Sequence, residues 1–168
     1  MIKHSTFAGM VLLAASTFSY AADMSLSIDI PKLEVAEYHR PYVATWLQHQ
    51  DSKAITNLAV WYQLDKEGEG QKWLKDLRQW WRRSGRSLDM PADGFTGATR
   101  LPGTHQVKMS DVATDLPSGD YRLYVEVVRE VGGRELLNIP FTWPVKNSQT
   151  LTAKGDAEVG LIELTLSK

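Results

Sequence analysis

Apolar and polar residues alternate along short segments of this chain, and this alternation limits the possible folds more than any other feature. Between positions 24 and 31, Leu26, Ile28 and Ile30 alternate with polar residues. A period of two is typical of a β-strand that is buried on one face and exposed on the other. The sequence therefore predicts a protein built mainly from β-strands. Comparable segments occur at 42–48, 55–64, 105–109, 121–131, 137–145, 149–153 and 159–166.

The segment 55–64 carries apolar residues on both of its faces. Its alternation predicts that Leu58 shares a face with Val60 and Tyr62. Trp61 is expected on the opposite face. The glycines that follow the segment end the pattern.

The period changes between residues 71 and 83, where apolar side chains recur every three or four positions. This spacing predicts one amphipathic helix over 71–83, with its polar face in solvent and Gly85 after its end. We expect the tryptophans of this helix mainly to pack against the β-structure, with direct contact to a cofactor as the alternative. The apolar residues are Trp73, Leu74, Leu77, Trp80 and Trp81.

Two turn signals indicate how the strands are connected. A turn followed directly by Tyr121 resembles the tyrosine corner of immunoglobulin-like sandwiches, in which the hydroxyl bonds to the backbone upstream. Gly132 and Gly133 predict a hairpin turn, and Pro140 marks the returning segment as an edge or irregular strand. Strands do not alternate with helices, so a parallel sheet is not expected. We predict an immunoglobulin-like antiparallel β-sandwich with one inserted helix.

Residues 1–21 have the features of a cleavable signal peptide. Lys3 gives a positive start, an apolar run follows from 7 to 18, and the small residues Ser19 and Ala21 precede the expected cleavage point. An uncleaved anchor is the alternative. No later segment is apolar and long enough to span a bilayer. We therefore expect residues 22–168 to form a single periplasmic domain that is not itself membrane-spanning.

Charge and cysteine content exclude several classes of partner and cofactor. The 19 basic and 20 acidic residues of the full chain become 18 and 20 once Lys3 is removed, a net charge of −2. Nucleic-acid binding needs a clustered basic excess, so nucleic acid is not expected as a partner. The chain has no cysteine, which excludes disulfides, thiolate metal sites and iron–sulfur clusters. Any redox chemistry therefore requires a bound cofactor.

The strongest candidate for a functional site is the octet at positions 93–100, Asp-Gly-Phe-Thr-Gly-Ala-Thr-Arg. Gly94 and Gly97 favour backbone angles that other residues avoid, so we expect a tight, exposed loop. Thr96 and Thr99 present two hydroxyl groups in this loop. Small neighbouring residues would let a modifying enzyme bring its own active site close to a hydroxyl.

The octet resembles the acceptor motif of bacterial flavin transferases, in which Asp-x-x-(Ser/Thr)-Gly-Ala-(Ser/Thr) receives FMN on its last residue. The matching positions are Asp93, Thr96, Gly97, Ala98 and Thr99. The resemblance implies a phosphoester between FMN and the hydroxyl of Thr99, formed by a separate flavin transferase. The alternative is a glycine-bearing turn that happens to contain threonines.

Several blocks of the sequence resemble a family of predicted periplasmic proteins catalogued as domain of unknown function 2271. They lie at 39–44, 58–62, 72–82, 93–100, 116–121 and 125–133. Genes of that family tend to lie beside PepSY-type membrane proteins and flavin transferases. The resemblance implies a periplasmic protein that works with a membrane PepSY-type protein, in settings of extracytosolic electron transfer and iron acquisition.

Basic residues near the octet are candidates for contact with a flavin phosphate. Guanidinium groups suit charge-assisted hydrogen bonds to phosphate, provided that the end of the helix lies against the octet. Trp80 or Trp81 could then stack on the isoalloxazine ring. The alternative is an exposed basic helix end with both tryptophans buried. The basic residues are Arg82, Arg83, Arg86 and Arg100.

Other candidate sites carry weaker signals. His39, His49 and His105 lack the spacing typical of metal ligands, so surface or structural roles are expected. Asp111 and Asp115 flank a segment that could bind calcium, but it has no EF-hand-like series of ligands, and a solvated turn is expected. No nucleophile–base arrangement is visible, which argues against an independent hydrolytic enzyme.

The leading functional prediction is a periplasmic flavoprotein that carries covalent FMN on Thr99 and transfers electrons between a membrane reductase and an external acceptor. The flavin would perform the redox chemistry, so the protein would be a redox carrier rather than an independent enzyme. The alternative is a non-catalytic accessory protein of the same system, which binds a membrane partner or an iron ligand with its aromatic surface.

Overall fold

The computed structural model describes residues 22–64 and 68–168, and the expected signal peptide at 1–21 lies outside the described residues. Nine β-strands form two sheets in this part of the chain. They are β1 (Asp23–Ile30), β2 (Tyr42–His49), β3 (Ile55–Tyr62), β4 (Thr96–Ala98), β5 (Gly103–Lys108), β6 (Gly119–Val128), β7 (Arg134–Trp143), β8 (Gln149–Lys154) and β9 (Leu161–Ser167).

The two sheets pack face to face around the main hydrophobic core. The first sheet has the order β5-β1-β9-β8, and the second has the order β4-β3-β2-β6-β7. Neighbouring strands are antiparallel except β3 and β4, which are parallel. Alternate side chains such as Leu26, Val125 and Leu164 lose all solvent exposure between the sheets. The predicted mainly β sandwich is confirmed.

Two further predicted features of the strands, the tyrosine corner and the edge position of Pro140, are also present. The Tyr121 hydroxyl donates a hydrogen bond to the carbonyl oxygen of Pro117 at 2.8 Å, as the resemblance to a tyrosine corner predicts. Pro140 lies in β7, which is an edge strand of the second sheet. A proline is tolerated there because an edge strand has no neighbour on one side. The immunoglobulin-like assignment stays a prediction.

A bulge in β3 changes the side that Leu58 faces. Thr45 of β2 pairs with Ala59 of β3, but the next residue, Trp46, pairs with Asn57. Leu58 is therefore an extra residue without a partner in β2, which is a β-bulge. Leu58 consequently packs into the core between the sheets. The predicted common face with Val60 and Tyr62 is wrong, because these two residues pack on the other side of the sheet.

The predicted single helix is divided into two. A 3₁₀ helix spans Glu69–Asp76, and α1 spans Arg78–Arg83. Leu77 separates them with φ −74° and ψ 69°, which lies outside the α-helical region. The 3₁₀ helix buries Gly70 and Leu74, the break buries Leu77, and α1 buries Trp80. One continuous α-helix is therefore wrong for this segment.

A buried carboxylate explains where α1 begins. Glu126 projects from β6 with no exposed surface, and it accepts hydrogen bonds from the backbone N–H groups of Gln79 at 3.0 Å and Trp80 at 2.8 Å. The first N–H groups of a helix have no partner within the helix, so they need such an acceptor. Arg134 on β7 places Nη2 2.6 Å from Glu126 Oε1. Together these contacts fix α1 to the sheet.

The outer face of the second sheet is covered by the helical segment. Trp46, Val60 and Tyr62 from the sheet form a second buried cluster with Leu74 and Trp80. The sheet is therefore covered on both faces over most of its length.

The remaining helices are short. A 3₁₀ turn spans Gly85–Ser87. Another helix, α2, spans Ser110–Asp115, where the sequence predicts a solvated turn. That expectation is wrong because Ala113 N–H bonds to the Met109 carbonyl at 2.9 Å and closes a helical turn. Within residues 22–64 and 68–168, no helix has both the length and the apolar character needed to cross a membrane.

Candidate functional site

The octet begins as an exposed turn and continues as a short strand. Asp93 is exposed, and Gly94 has a φ of 87°, which favours glycine. Thr96–Ala98 then forms β4 and pairs with the end of β3. The backbone N–H of Thr99 donates to the Tyr62 carbonyl at 3.1 Å. The prediction of a loop for the whole octet is wrong, because its second half is hydrogen-bonded to the sheet.

The two threonine hydroxyls of the octet lie in different surroundings. The Thr96 Oγ1 atom is buried and has no hydrogen-bond partner in the described part of the chain. Thr99 follows the last residue of β4, is half-buried and lines an open cavity. Thr99 is therefore the residue of the pair that lines a space that another molecule can enter.

This strand-end cavity lies where β2 begins and where β3, β4 and β6 end. Its volume is about 570 Å³, which is within the range of small-molecule and cofactor pockets. Residues lining it include Tyr38, Arg40, Trp73, Thr99, Arg129 and Val131.

Two exposed apolar side chains form part of the lining. Trp73, from the 3₁₀ helix, is 54% exposed, and Val131, from the turn between β6 and β7, is 74% exposed. Val131 has a φ of 54°, a left-handed value that is strained for a β-branched residue. An exposed indole face at the mouth of a cavity suits stacking with a flat ring.

A buried ion pair lies beside the cavity. Arg129 Nε is 2.8 Å from Glu158 Oε2, and Arg129 Nη2 is 3.0 Å from Glu158 Oε1. The backbone N–H of Gly133 also donates to Glu158 Oε1, at 2.7 Å. Both charged side chains are 6% exposed. The remaining Arg129 nitrogen, Nη1, is buried and has no partner among the described residues.

The glycine hairpin predicted at this turn is explained by the ion pair. A Cβ atom at Gly132 would lie 2.5 Å from Arg129 Cζ, and a Cβ atom at Gly133 would lie 2.9 Å from Glu158 Oε1. Such distances exclude any side chain unless the ion pair moves. Glycine is therefore present because the charged side chains pack directly against the backbone of the turn.

Tyr38 adds a second polar group without a partner. Its hydroxyl is buried and makes no hydrogen bond within residues 22–64 and 68–168. Burial raises the pKa of the Tyr38 hydroxyl, while the Arg129 charge acts to lower that pKa and the Glu158 charge acts to raise it. These opposing effects indicate that Tyr38 lies within electrostatic range of the ion pair. Tyr38 and Arg129 both line the cavity.

Other charged groups are found around the cavity. His39 places Nε2 2.9 Å from Glu37 Oε1 and Nδ1 3.4 Å from Glu130 Oε2. His39, Arg40 and Glu130 line the cavity. His39 therefore connects the segment before β2 to the turn after β6. No group of three or more potential metal ligands occurs in the described ranges, 22–64 and 68–168.

The tryptophans proposed for ring stacking do not line the cavity. Trp80 has no exposed surface, and its Nε1 atom donates to Asn57 Oδ1 at 2.9 Å. Trp81 is half-buried and packs against the same outer-face cluster. Both tryptophans thus take the packing role that the sequence analysis favoured. Trp80 is unavailable for stacking, whereas Trp73 has the required exposure and position.

The arginines proposed for phosphate contact also lie elsewhere. Arg82 donates to Gln79 Oε1 at 2.9 Å, and the Arg83 guanidinium lies 5.1 Å from the centre of the Tyr124 ring. Arg100 lies over the Trp61 ring at 5.0 Å, a cation–π contact. Arg86 is exposed. None of the four lines the strand-end cavity, whose lining instead includes Arg40 and Arg129.

Gly97 is explained by its proximity to the same aromatic ring. A Cβ atom at Gly97 would lie 3.2 Å from Trp61 Cδ1, which is tighter than an ordinary van der Waals contact. Ala98, the next residue, is exposed. The two small residues of the octet therefore have different roles. Gly97 allows β4 to pass close to Trp61, and Ala98 leaves the surface beside Thr99 open.

One signal in the sequence could have identified a missed cavity residue. Arg129 lies three residues before Gly132 of the double-glycine turn, and that proximity suggests a side chain packed against the turn. No comparable signal exists for Tyr38, because it lies in an irregular segment.

The profile of a known family matches most of the chain. Residues 23–161 match the family described as predicted periplasmic protein, domain of unknown function 2271. The chain belongs to this family. The resemblance stated from the sequence blocks is thereby confirmed, and the family description supports a periplasmic location. No curated protein and no solved structure matches the chain.

Proposed function

We propose that this family member carries FMN on Thr99 and acts as a periplasmic electron-transfer protein. One observation carries the proposal: Thr99, the last residue of the acceptor-like octet, lines a cavity of about 570 Å³, whereas the Thr96 hydroxyl is buried. A transferase can reach a residue that lines an open cavity. In this proposal the partners are a flavin transferase and a membrane PepSY-type reductase, in a pathway of iron acquisition.

The attachment step is a phosphoryl transfer to an alcohol. The Thr99 oxygen attacks the phosphorus of a flavin nucleotide that is activated as a pyrophosphate. The Oγ1–P bond forms while the bond from phosphorus to the leaving nucleotide breaks. The hydroxyl proton passes to a base of the transferase, and the leaving nucleotide departs with the electron pair. This chain supplies the nucleophile and its access, and the transferase supplies the catalytic groups.

The residues around Thr99 fit a flavin. Trp73 is 54% exposed and has Lys75 Nζ 5.9 Å from the centre of its ring, so a flat ring would stack on the face opposite Lys75. Arg40 lines the same cavity and is exposed, so it can neutralise the phosphate charge. The flavin supplies the redox chemistry when bound, and these side chains orient it. Trp73 and Arg40 thus replace Trp80, Trp81 and the helix-end arginines in the original prediction.

Co-expression with a flavin transferase in the periplasm tests the proposal. Intact-mass analysis is expected to show a gain of one FMN less one water for the wild-type chain, and no gain for Thr99→Ala. Thr96→Val is the matched control, because it removes the other hydroxyl of the octet, and it should retain the gain. Loss of the mass gain in Thr96→Val, with the gain retained in Thr99→Ala, would show that Thr96 carries the flavin and would contradict the proposal.

A second candidate function is a cofactor-free accessory protein that binds a membrane partner. The exposed Trp73 and Val131 side chains favour this alternative, since apolar residues beside a cavity are typical of contact surfaces. Pull-down of a PepSY-type partner is then expected to be weakened by Trp73→Ala. Trp81→Ala, outside the cavity, is the control. Equal capture by both variants, together with a flavin mass gain, would exclude this candidate.

A further inference from the structure

Arg129 and Tyr38 line the strand-end cavity, and each carries one buried polar atom without a protein partner in the described part of the chain. Arg129 is 6% exposed in its side chain, and two of its three nitrogens are occupied by Glu158, which leaves Nη1. The Tyr38 hydroxyl is also buried and unpartnered within residues 22–64 and 68–168. Buried polar groups are nearly always hydrogen-bonded, so two such groups at one cavity require an explanation.

The chemistry of these donors restricts what they can bind. A guanidinium nitrogen only donates hydrogen bonds, so its partner must carry lone pairs. A metal cation is excluded, because it would be repelled by Arg129. A carbonyl oxygen or an unprotonated ring nitrogen satisfies both donors, and a planar heterocycle with several such atoms along one edge can reach both at once.

We propose that Tyr38 and Arg129 form a donor site that binds the carbonyl-bearing edge of a planar heterocycle, the pyrimidine edge of a flavin in the present case. The identity of this heterocycle rests on the function proposed above. Trp73 would stack on the ring, while Tyr38 and Arg129 hold its polar edge and Glu158 fixes the guanidinium. The site recognises the ring itself and does not depend on the bond to Thr99.

Independence from the covalent bond makes the site testable with free riboflavin. Riboflavin contains the ring but no phosphate, so it cannot be attached through a phosphoester. Flavin fluorescence is titrated with the exported chain made without a transferase. The wild-type chain and Thr99→Ala are expected to bind riboflavin with equal affinity, since the proposed site does not use the Thr99 hydroxyl.

Tyr38→Phe is the decisive variant because it removes one unpartnered hydroxyl and leaves the ring. The dissociation constant for riboflavin should rise on the order of five-fold, the effect of one lost hydrogen bond. The thermal midpoint of the free protein should stay the same or rise, because no hydrogen bond of the free protein is lost. Weaker binding without lower stability distinguishes recognition from a structural role. Tyr124→Phe, outside the cavity, should change neither quantity.

Arg129→Lys tests the second donor while keeping the positive charge beside Glu158. Its riboflavin affinity should fall on the order of ten-fold, because lysine cannot serve the carboxylate and the ligand with the same geometry. Circular dichroism verifies that the variant is folded. Inorganic phosphate should not compete with riboflavin. Competition at equal strength would assign the donors to an anion and overturn the proposal.

The two proposals fail in different ways. If FMN attaches to Thr99 but Tyr38→Phe binds riboflavin as tightly as the wild-type chain, the donor site is wrong and the carrier function stands. If riboflavin binding depends on Tyr38 but no mass gain appears with any transferase, the donor site stands and covalent attachment is wrong.

Discussion

Two arginine–carboxylate pairs with a buried carboxylate lie in or next to β6, and they differ in how completely their polar groups are satisfied. Glu126 is fully buried and contacts two backbone N–H groups of α1 together with Arg134. Arg129 and Glu158 are bonded to each other by two hydrogen bonds, yet Arg129 Nη1 has no partner in the described part of the chain. The first pair holds the helical segment in place. The second leaves a donor beside a cavity.

The difference teaches where to look for function in this fold. A polar group that is buried without a partner costs stability, and one beside a cavity can be satisfied by a bound molecule. The Glu126 pair needs no such molecule because its acceptors are used. The Arg129 pair has an excess donor at the cavity that Thr99 also lines. Three variants can break or sharpen this comparison.

The largest effect is expected for Glu126→Leu. It leaves Arg134 without its carboxylate and removes the acceptor for the N–H groups of Gln79 and Trp80. Arg134 is exposed and stays solvated, whereas each N–H group left without its acceptor costs about 1 to 3 kcal/mol, so the free energy of unfolding in urea should fall by about 2 to 6 kcal/mol. Glu69→Leu, which removes an exposed pair with Lys72, is the control and should cost less than about 1 kcal/mol. Equal costs for both would remove the distinction.

An intermediate effect is expected at the Arg129 pair. Arg129→Met alone should lower the free energy of unfolding by about 3 kcal/mol, because Glu158 stays buried without its cation. The double variant Arg129→Met/Glu158→Met should recover to within about 1 kcal/mol of the wild-type chain, since apolar replacement of a buried pair is often neutral. Riboflavin binding should stay weak in the double variant. A double variant as unstable as the single variant would show that the Arg129–Glu158 pair has a structural role, as the Glu126–Arg134 pair does.

The smallest effect is expected for Thr96→Val. Its hydroxyl is buried without a partner in the described residues, so replacement by a methyl group of similar shape should raise the free energy of unfolding by about 1 kcal/mol. Urea denaturation measures the change. A fall of the same size would show that this hydroxyl has a structural role, and the contrast with Thr99 would then lose its basis.

Much of the fold could be predicted because the determining signals are local. The alternation of Leu26, Ile28 and Ile30 reports a sheet with one buried face, and the turn before Tyr121 specifies its corner hydrogen bond. These patterns need only neighbouring residues. The face of Leu58 could not be predicted, because a bulge depends on how two strands pair. No residue in β3 alone indicates that a bulge occurs there.

The site was only partly predictable because its parts come from distant positions. Thr99 could be identified from a contiguous motif. Arg129 and Glu158 are 29 residues apart, and Tyr38 precedes both in an irregular segment, so only the folded chain brings them to one cavity. Trp73 was grouped with the packing tryptophans because the sequence suggested an α-helix. In the folded chain Trp73 is instead 54% exposed, because the 3₁₀ helix that carries it buries Gly70 and Leu74.

The central claim is that this chain carries a flavin on one particular threonine. Peptide fragmentation by mass spectrometry of the native protein, purified from the periplasm of its own cells, tests it most directly. The account predicts an FMN phosphoester on the peptide that contains residues 93–100, with the added mass located on Thr99 and not on Thr96. An unmodified Thr99 in protein from flavin-replete cells that express a flavin transferase would contradict it.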